Sequence, residues 1–421
     1  MLLKYNNSNI NATIQLPSSK SLSNRLLILN EVLHLNLQLK NISNAKDTQD
    51  LIAALKQIKK GKNNVIDIGH AGTDMRFLTA LLSVTPGEWT LTGSDRMKER
   101  PIGELVNALK QIGAQITYLE KEGFPPLKII GQKLKGGKIE MDGSISSQFI
   151  SALLLIAPAL EGGLEIKINN EIVSWSYILM TLDILSTAGI KVSTVLNTIK
   201  VTPLQTPNSQ LRTNAELRTK NSELTVESDW SSASYWFSIV ALSKNAEIHL
   251  LGLTKQSSQG DSVLPEIYKN FGVNSEFKDG ELVLTKNIDI VNNFEYNFSD
   301  CPDIAQTIAV TCLGLNINCV LIGLSTLKHK ETDRLLALKN ELEKFGAKIE
   351  TTQDSIKIDA LSTIFNLESL IINTYGDHRM AMSFAPLALN ISSIKIENPE
   401  VVNKSYPKFW EDLRTAGFIF S

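Results

Sequence analysis

Six short stretches concentrate side chains that bind small anions or move protons. In Pro17-Ser18-Ser19-Lys20-Ser21-Leu22-Ser23-Asn24-Arg25, two cations and several hydroxyls open an apolar run, a set suited to phosphate or carboxylate. The spacing is not the Gly-x4-Gly-Lys-Ser/Thr of a nucleotide-binding loop. Gly72-Thr73-Asp74-Met75-Arg76 and Arg96-Met97-Lys98-Glu99-Arg100 together carry three arginines. Ser146-Ser147-Gln148 offers three uncharged hydrogen-bonding groups for a hydroxylated or phosphorylated ligand. Lys328-His329-Lys330-Glu331-Thr332-Asp333-Arg334 and Asp377-His378-Arg379 set alternating charges before helical patterns. A solvated face accounts for alternating charge equally well.

Arginine is scarce: the chain has nine against thirty-three lysines. Six of the nine, Arg25, Arg76, Arg96, Arg100, Arg334 and Arg379, lie in these stretches or beside them. Arg212, Arg218 and Arg414 do not. Arg presents a planar fork of donors that Lys cannot reproduce, so its placement points to bidentate recognition of oxyanions. The formal charge of −2 argues against a nucleic-acid partner but not against a focused cationic site.

Positioning these groups requires helices that begin where they stand. PSSKSLSNRLLIL, AGTDMRFLTALL, SISSQFISALLLIA, SDWSSASYWFSIVAL, SDCPDIAQTIAVTCLGL and GDHRMAMSFAPLAL all read as apolar helices entered through small, polar or charged residues. Ser, Thr and Asp there serve as N-caps, and helix starts also attract anions through unpaired N–H groups and the dipole. A second pattern recurs: a helical stretch, a glycine, then an alternating strand. The glycines are Gly113, Gly189, Gly272, Gly346 and Gly417, 71 to 83 residues apart. Glycine after the last helical turn suits a left-handed C-cap, so the spacing predicts a repeated α/β unit.

At 421 residues the chain exceeds one compact core, and two domains are expected. Hydrophobic residues at 43% and charged residues at 20% indicate a packed globular protein. Cys301, Cys312 and Cys319 lack metal-site spacing, and their odd number suggests no disulfide framework. The expected compartment is a reducing cytoplasm. No stretch reads as a signal peptide or membrane span.

The ordered strings PSSKSLSNR, AGTDMR, RMKERPIGELVNALKQIGAQITYL, DGSISSQF, ESDWSSASY, PDIAQTIA, KETDR, GDHRMAM and Lys404-Ser405-Tyr406-Pro407 are spread along nearly the whole chain. Together they resemble the EPSP synthases, a family of enolpyruvyltransferases. The resemblance implies a two-domain inside-out α/β barrel of six βαβαββ repeats, three per domain, with helix starts facing a cleft. It places residues 1–17 and 228–421 in one domain and 18–227 in the other. It also implies transfer of the enolpyruvyl group of phosphoenolpyruvate to the 5-hydroxyl of shikimate 3-phosphate, by addition and elimination. The resemblance assigns Asp303 to the hydroxyl proton, with Glu331 and Lys20 as candidates for proton transfer at C3. A plain N-cap is the other reading of Asp303.

Shikimate 3-phosphate is then expected on Lys20, Ser21, Arg25, Ser146, Ser147, Gln148, Ser174, Tyr177, Asp303 and Lys330. Phosphoenolpyruvate is expected on Lys20, Gly72, Arg100, Gln148, Glu331, Arg334, Arg379 and Lys404. Gly72 is read as a place where a side chain would displace the ligand. Arg76 and Arg96 are expected to support these residues rather than touch substrate. No metal or organic cofactor, nucleic acid or membrane partner is expected, and the protein is expected to be a monomer. His70, Asp74, Phe77 and Thr326 depart from the family pattern. Two alternatives are an enolpyruvyltransferase acting on UDP-N-acetylglucosamine, which uses a loop cysteine, and a non-catalytic phosphometabolite binder. The cysteines here are expected in the core instead.

Overall fold

The computed structural model describes residues 1–35, 37–61, 64–144, 146–204, 223–359 and 369–421. Arg212 and Arg218 lie outside these described residues. The chain forms two compact units. One holds Met1–Ser19, Asn44–Lys46 and Glu227–Ser421, and the other Lys20–Ser43 and Asp47–Val226.

The repeat is clearest where it is contiguous. Strand Val65–Asp67 is followed by helix Gly72–Val84, strand Gly87–Thr92, helix Gly103–Gln111 and the antiparallel strands Gln115–Tyr118 and Leu127–Gly131. The first two strands pair in parallel, Val65 opposite Thr90, and the hairpin adds on the far side, Ile116 opposite Ile129. Parallel strands need a long crossover, and the intervening helix supplies it. Two further four-stranded sheets repeat this order with central helices Ser147–Ile156 and Ala305–Gly314.

Two more sheets draw a strand from far along the chain. Asn9–Gln15 pairs in parallel with Asn245–Leu251, and Leu2–Lys4 lies between Ile394–Ile396 and Ile419–Phe420. Among the described residues the sixth sheet is a parallel pair, Gln38–Lys40 with Glu223–Thr225.

Sheets turn one face to water. In Asn9–Gln15 the alternate residues Ile10, Ala12 and Ile14 are buried while the polar ones are exposed. Inside, the helices Trp230–Leu242, Ala305–Gly314 and His378–Phe384 are apolar or small on every side, and almost every residue in them is buried. Each large side chain such as Trp236 or Phe384 contributes roughly 1.5–3 kcal/mol by leaving water. Hydroxyls bond between these helices: Ser234 with Thr307 at 3.2 Å, Thr307 with Ser383 at 3.1 Å, and Thr311 to Ser238 at 2.8 Å.

The predicted glycine junctions adopt the backbone that requires them. Gly113, Gly189, Gly272, Gly346 and Gly417 have φ of 96°, 75°, 71°, 84° and 96°. At three of them the following residue closes a six-to-one bond, Ala114 N–H to Leu109 O, Ile190 to Leu185 and Phe418 to Leu413. Gly272 differs in place, because it is already the second residue of strand Phe271–Lys278, at an irregularity in its pairing.

Candidate active site

In the unit containing Lys20–Ser43 and Asp47–Val226, the starts of three helices meet. Asn24, in the first turns of Lys20–Leu33, donates to Asp74 Oδ1 at 2.7 Å and accepts from Thr48 Oγ1 at 2.7 Å. Gln148, at the start of Ser147–Ile156, donates to Thr73 Oγ1 at 3.3 Å. Ser146 caps that helix by accepting from the Gln148 N–H. Lys20 Nζ pairs with Asp47 at 2.8 Å.

Arg25 is only 2% exposed. Its guanidinium donates to Thr181 Oγ1 (2.8 Å), Ser21 O (2.9 Å), Tyr177 O (3.2 Å) and Ser151 Oγ (3.3 Å). Among the described residues no carboxylate pairs with it, and burial lowers its pKa to about 10. The aromatic faces of Phe77 and Tyr177 lie 5.4 and 5.9 Å away. The departure at Phe77 thus places a ring beside this buried cation.

Arg76 repeats the pattern, donating to the carbonyls of Gly72 (3.1 Å) and Pro101 (2.7 Å). Burial and then Arg100 hold its pKa well below the usual guanidinium range. Arg100 is 7% exposed and lies against Gly72, where a Cβ would overlap its guanidinium. Gly72 therefore gives Arg100 its place, a reason the sequence did not offer. Arg96 is exposed and paired with Glu99 at 2.8 Å.

Asp74 is fully buried, and its carboxyl is raised well above the usual range by burial first and Asp47 second. Arg25 and Arg76 are buried against neutral acceptors, which is costly for a cation, and an anionic ligand would relieve that cost. His70 Nδ1 is hydrogen-bonded to Ser94 Oγ at 2.8 Å. Ser174 sits at φ 56° before helix Trp175–Thr187, and its carbonyl accepts from the Tyr177 N–H at 3.1 Å. A non-glycine residue rarely adopts that backbone.

The other unit gathers the charged motifs around Asp303. Its carboxylate lies 3.4 Å from Lys330 Nζ, 3.2 Å from Arg334 Nη1 and 3.0 Å from Arg379 Nη2. Neither the turn Pro302–Ile304 nor the helix Ala305–Gly314 takes a side-chain cap. The N-cap reading of Asp303 is therefore not what the structure shows. Glu331 is bracketed by Arg334 at 2.9 Å and Lys404 at 2.7 Å.

Arg334 is 2% exposed and directs its fork at carboxylates, Asp377 at 2.6 Å as well as Glu331 and Asp303. Burial alone would lower its pKa, but Asp377, Glu331 and Asp303 together outweigh burial and raise it. Lys330 is pushed down, because burial exceeds the pull of Asp303. Arg379 begins the helix His378–Phe384, which Asp377 caps by accepting the Arg379 N–H at 2.8 Å.

Several members were not assigned from sequence. Asp377 was visible only as a capping position, yet it is buried and holds Arg334. Asp47, Thr73, Ser151 and Thr181 orient Lys20, Gln148 and Arg25 across 27 to 156 residues of chain. Thr326 Oγ1 is buried with no hydrogen-bond partner among the described residues. Cys301, Cys312 and Cys319 are buried free thiols, as the core reading expected. Burial drives the Cys301 and Cys312 thiols up, far from nucleophilic thiolates.

Comparison with known proteins agrees with this arrangement. A family model described as EPSP synthase (3-phosphoshikimate 1-carboxyvinyltransferase) matches residues 4–413. A 3-phosphoshikimate 1-carboxyvinyltransferase of Bacteroides fragilis is 47% identical over 412 residues, covering 98% of this chain and 96% of the relative. That of Sulfurovum sp. is 36% identical, covering 96% of each chain. The solved structure of EPSP synthase from Acinetobacter baumannii superposes with TM-score 0.75 at 22% identity, over 100% of this chain and 99% of that one, and so shares its fold. With a family model matched over residues 4–413 and relatives up to 47% identical over nearly the full chain, the chain belongs to the EPSP synthase family.

Proposed function

We propose that the chain transfers the enolpyruvyl group of phosphoenolpyruvate to the 5-hydroxyl of shikimate 3-phosphate, releasing inorganic phosphate on the way to chorismate. The hydroxyl oxygen attacks C2 of phosphoenolpyruvate as its proton leaves and C3 gains one, giving a tetrahedral ketal. Loss of phosphate from C2 and of a C3 proton restores the double bond. Asp303 takes the hydroxyl proton, and Glu331 and Lys20 serve C3. The observation that carries this reading is a carboxylate held by Lys330, Arg334 and Arg379 at 3.0–3.4 Å and used by no helix cap. Those cations supply electrostatic stabilisation as charge moves onto the departing phosphate.

In this proposal shikimate 3-phosphate is held by Lys20, Ser21, Arg25, Ser146, Ser147, Gln148, Ser174 and Tyr177, with Asp303 and Lys330 at its reacting side. Phosphoenolpyruvate is held by Lys20, Gly72, Arg100, Gln148, Glu331, Arg334, Arg379 and Lys404. Arg25 and Arg76, buried against neutral acceptors, support an anionic ligand. Arg334, already committed to three carboxylates, acts on the ligand by fixing them as much as by touching it. The domains are residues 1–17 with 228–421, and 18–227, and the protein works as a cytoplasmic monomer. Buried, protonated thiols weigh against the UDP-N-acetylglucosamine alternative. The test is phosphate release from phosphoenolpyruvate with either acceptor. Release with shikimate 3-phosphate and none with UDP-N-acetylglucosamine is expected; the reverse would overturn the proposal.

A further inference from the structure

Arg379 is linked through Ser231 to a second carboxyl group beyond Asp303. Its Nη2 donates to Ser231 Oγ at 3.3 Å as well as to Asp303 Oδ2 at 3.0 Å. Ser231, in the first turn of helix Trp230–Leu242, donates its own hydrogen in a short bond to Asp261 Oδ2. Asp261 lies in the turn Gly260–Val263 and is 4% exposed. Its second oxygen, Oδ1, is buried with no hydrogen-bond partner among the described residues. The charged groups facing it are Asp303, Arg379 and Asp229, with the Cys301 thiol also close.

The two protonation states of Asp261 act differently on this chain. The anion leaves one buried oxygen unsolvated beside another carboxylate, an expensive arrangement that draws on the positive charge of Arg379. The neutral acid still accepts from Ser231 and makes no such demand. Burial, then Asp303, raises the group to about 7 against the pull of Arg379. Asp261 is therefore mostly neutral at pH 6 and mostly ionised at pH 8.

We propose that Asp261 is a positioning residue for the transfer reaction, setting through Ser231 how much of the Arg379 charge is available to an anionic substrate. This rests on the reading of Arg379 as a phosphoenolpyruvate ligand. The neutral form leaves the guanidinium to the substrate carboxylate or phosphate, and the ionised form competes for it.

The test is steady-state kinetics of the full chain between pH 6 and 8.5 for wild type, Asp261→Asn and Ser231→Ala, with KM for phosphoenolpyruvate and kcat read separately. Asparagine keeps an acceptor for Ser231 but cannot ionise. The wild-type KM should rise about fivefold relative to the Asp261→Asn KM between pH 6 and 8, with parallel kcat curves. Ser231→Ala removes one neutral hydrogen bond to Arg379 and should raise KM about fivefold at pH 6 with the smaller change in kcat. KM curves of wild type and Asp261→Asn that stay parallel overturn the proposal. So does a Ser231→Ala variant that loses kcat at unchanged KM, which decides the matter should Asp261→Asn fail to fold. Wild type releasing no phosphate from phosphoenolpyruvate at any pH would instead refute the parent reading.

Discussion

Asp303→Asn separates two roles proposed for one carboxylate. The change keeps the shape and removes both the proton acceptor and the negative charge facing Lys330, Arg334 and Arg379. Losing a general base costs about 10²–10⁴ in rate, or roughly 2.7–5.4 kcal/mol of barrier. The charge change works in the other direction for substrate binding. Arg334 keeps Asp377 and Glu331, but Lys330 loses the carboxylate 3.4 Å away, and the cluster becomes more positive by one. An anionic substrate should then bind at least as tightly. The expected outcome in a phosphate-release assay at saturating shikimate 3-phosphate is kcat lower by about 10²–10⁴ and KM for phosphoenolpyruvate no higher than wild type. A kcat within tenfold of wild type would refute Asp303 as the base. A rise in KM with kcat preserved would reassign it to holding the cations in place.

Three further outcomes follow from particular contacts. Gly72→Ala drives Arg100 out of its place and should raise KM for phosphoenolpyruvate with little change in melting temperature, since the overlapped atoms end a flexible side chain; an unchanged KM would count against Arg100 as a ligand. Arg25→Lys can satisfy only part of a four-acceptor network and should cost about 3 kcal/mol of unfolding free energy, near 1 kcal/mol for each lost bond, and weaken shikimate 3-phosphate binding. Denaturant titration and KM for the shikimate ester check both. His249 is bonded to Glu281 at 2.8 Å and Glu247 at 3.2 Å, which raises its pKa above the ordinary histidine value. Its contribution is fully present below the unfolded pKa near 6.5 and is lost as pH rises through the higher folded value. His249→Gln should therefore narrow the melting-temperature difference between pH 6 and 8.5, measured by calorimetry.

Local pattern made much of this legible from sequence. A glycine after an apolar helical run announced a positive φ, and all five glycines adopt one, although Gly272 does so inside the following strand; that signal lives in a few adjacent residues. The six helix starts were read from small polar residues for the same reason. Pairing over long distances was not legible. Nothing near Lys20 names Asp47 as its partner, and nothing near Arg25 says that Thr181 and Ser151 will take its donors. The same holds for Asp261, which looks like an ordinary turn residue until Ser231 and Arg379 are placed beside it. Arg334 illustrates the converse. Its type and motif marked it as an oxyanion ligand, whereas its burial among Asp303, Glu331 and Asp377 is a property of the packed unit.

The hydroxyl bonds between the helices Trp230–Leu242, Ala305–Gly314 and His378–Phe384 bear on the precision of the polar groups at their starts. Cylinders coated evenly with apolar side chains can rotate or slide against one another with little change in buried area. One residue of slip moves a group about 1.5 Å along the axis and turns it by about 100°. A hydrogen-bonded hydroxyl pair resists such slip, since its interhelical bond would be lost in the interior. Ser234, Thr307, Ser383, Ser238 and Thr311 thus act as a vernier. They fix the rotation and height of each helix, so that Ser231 and Asp303 both arrive within bonding distance of Arg379 rather than merely at the same end.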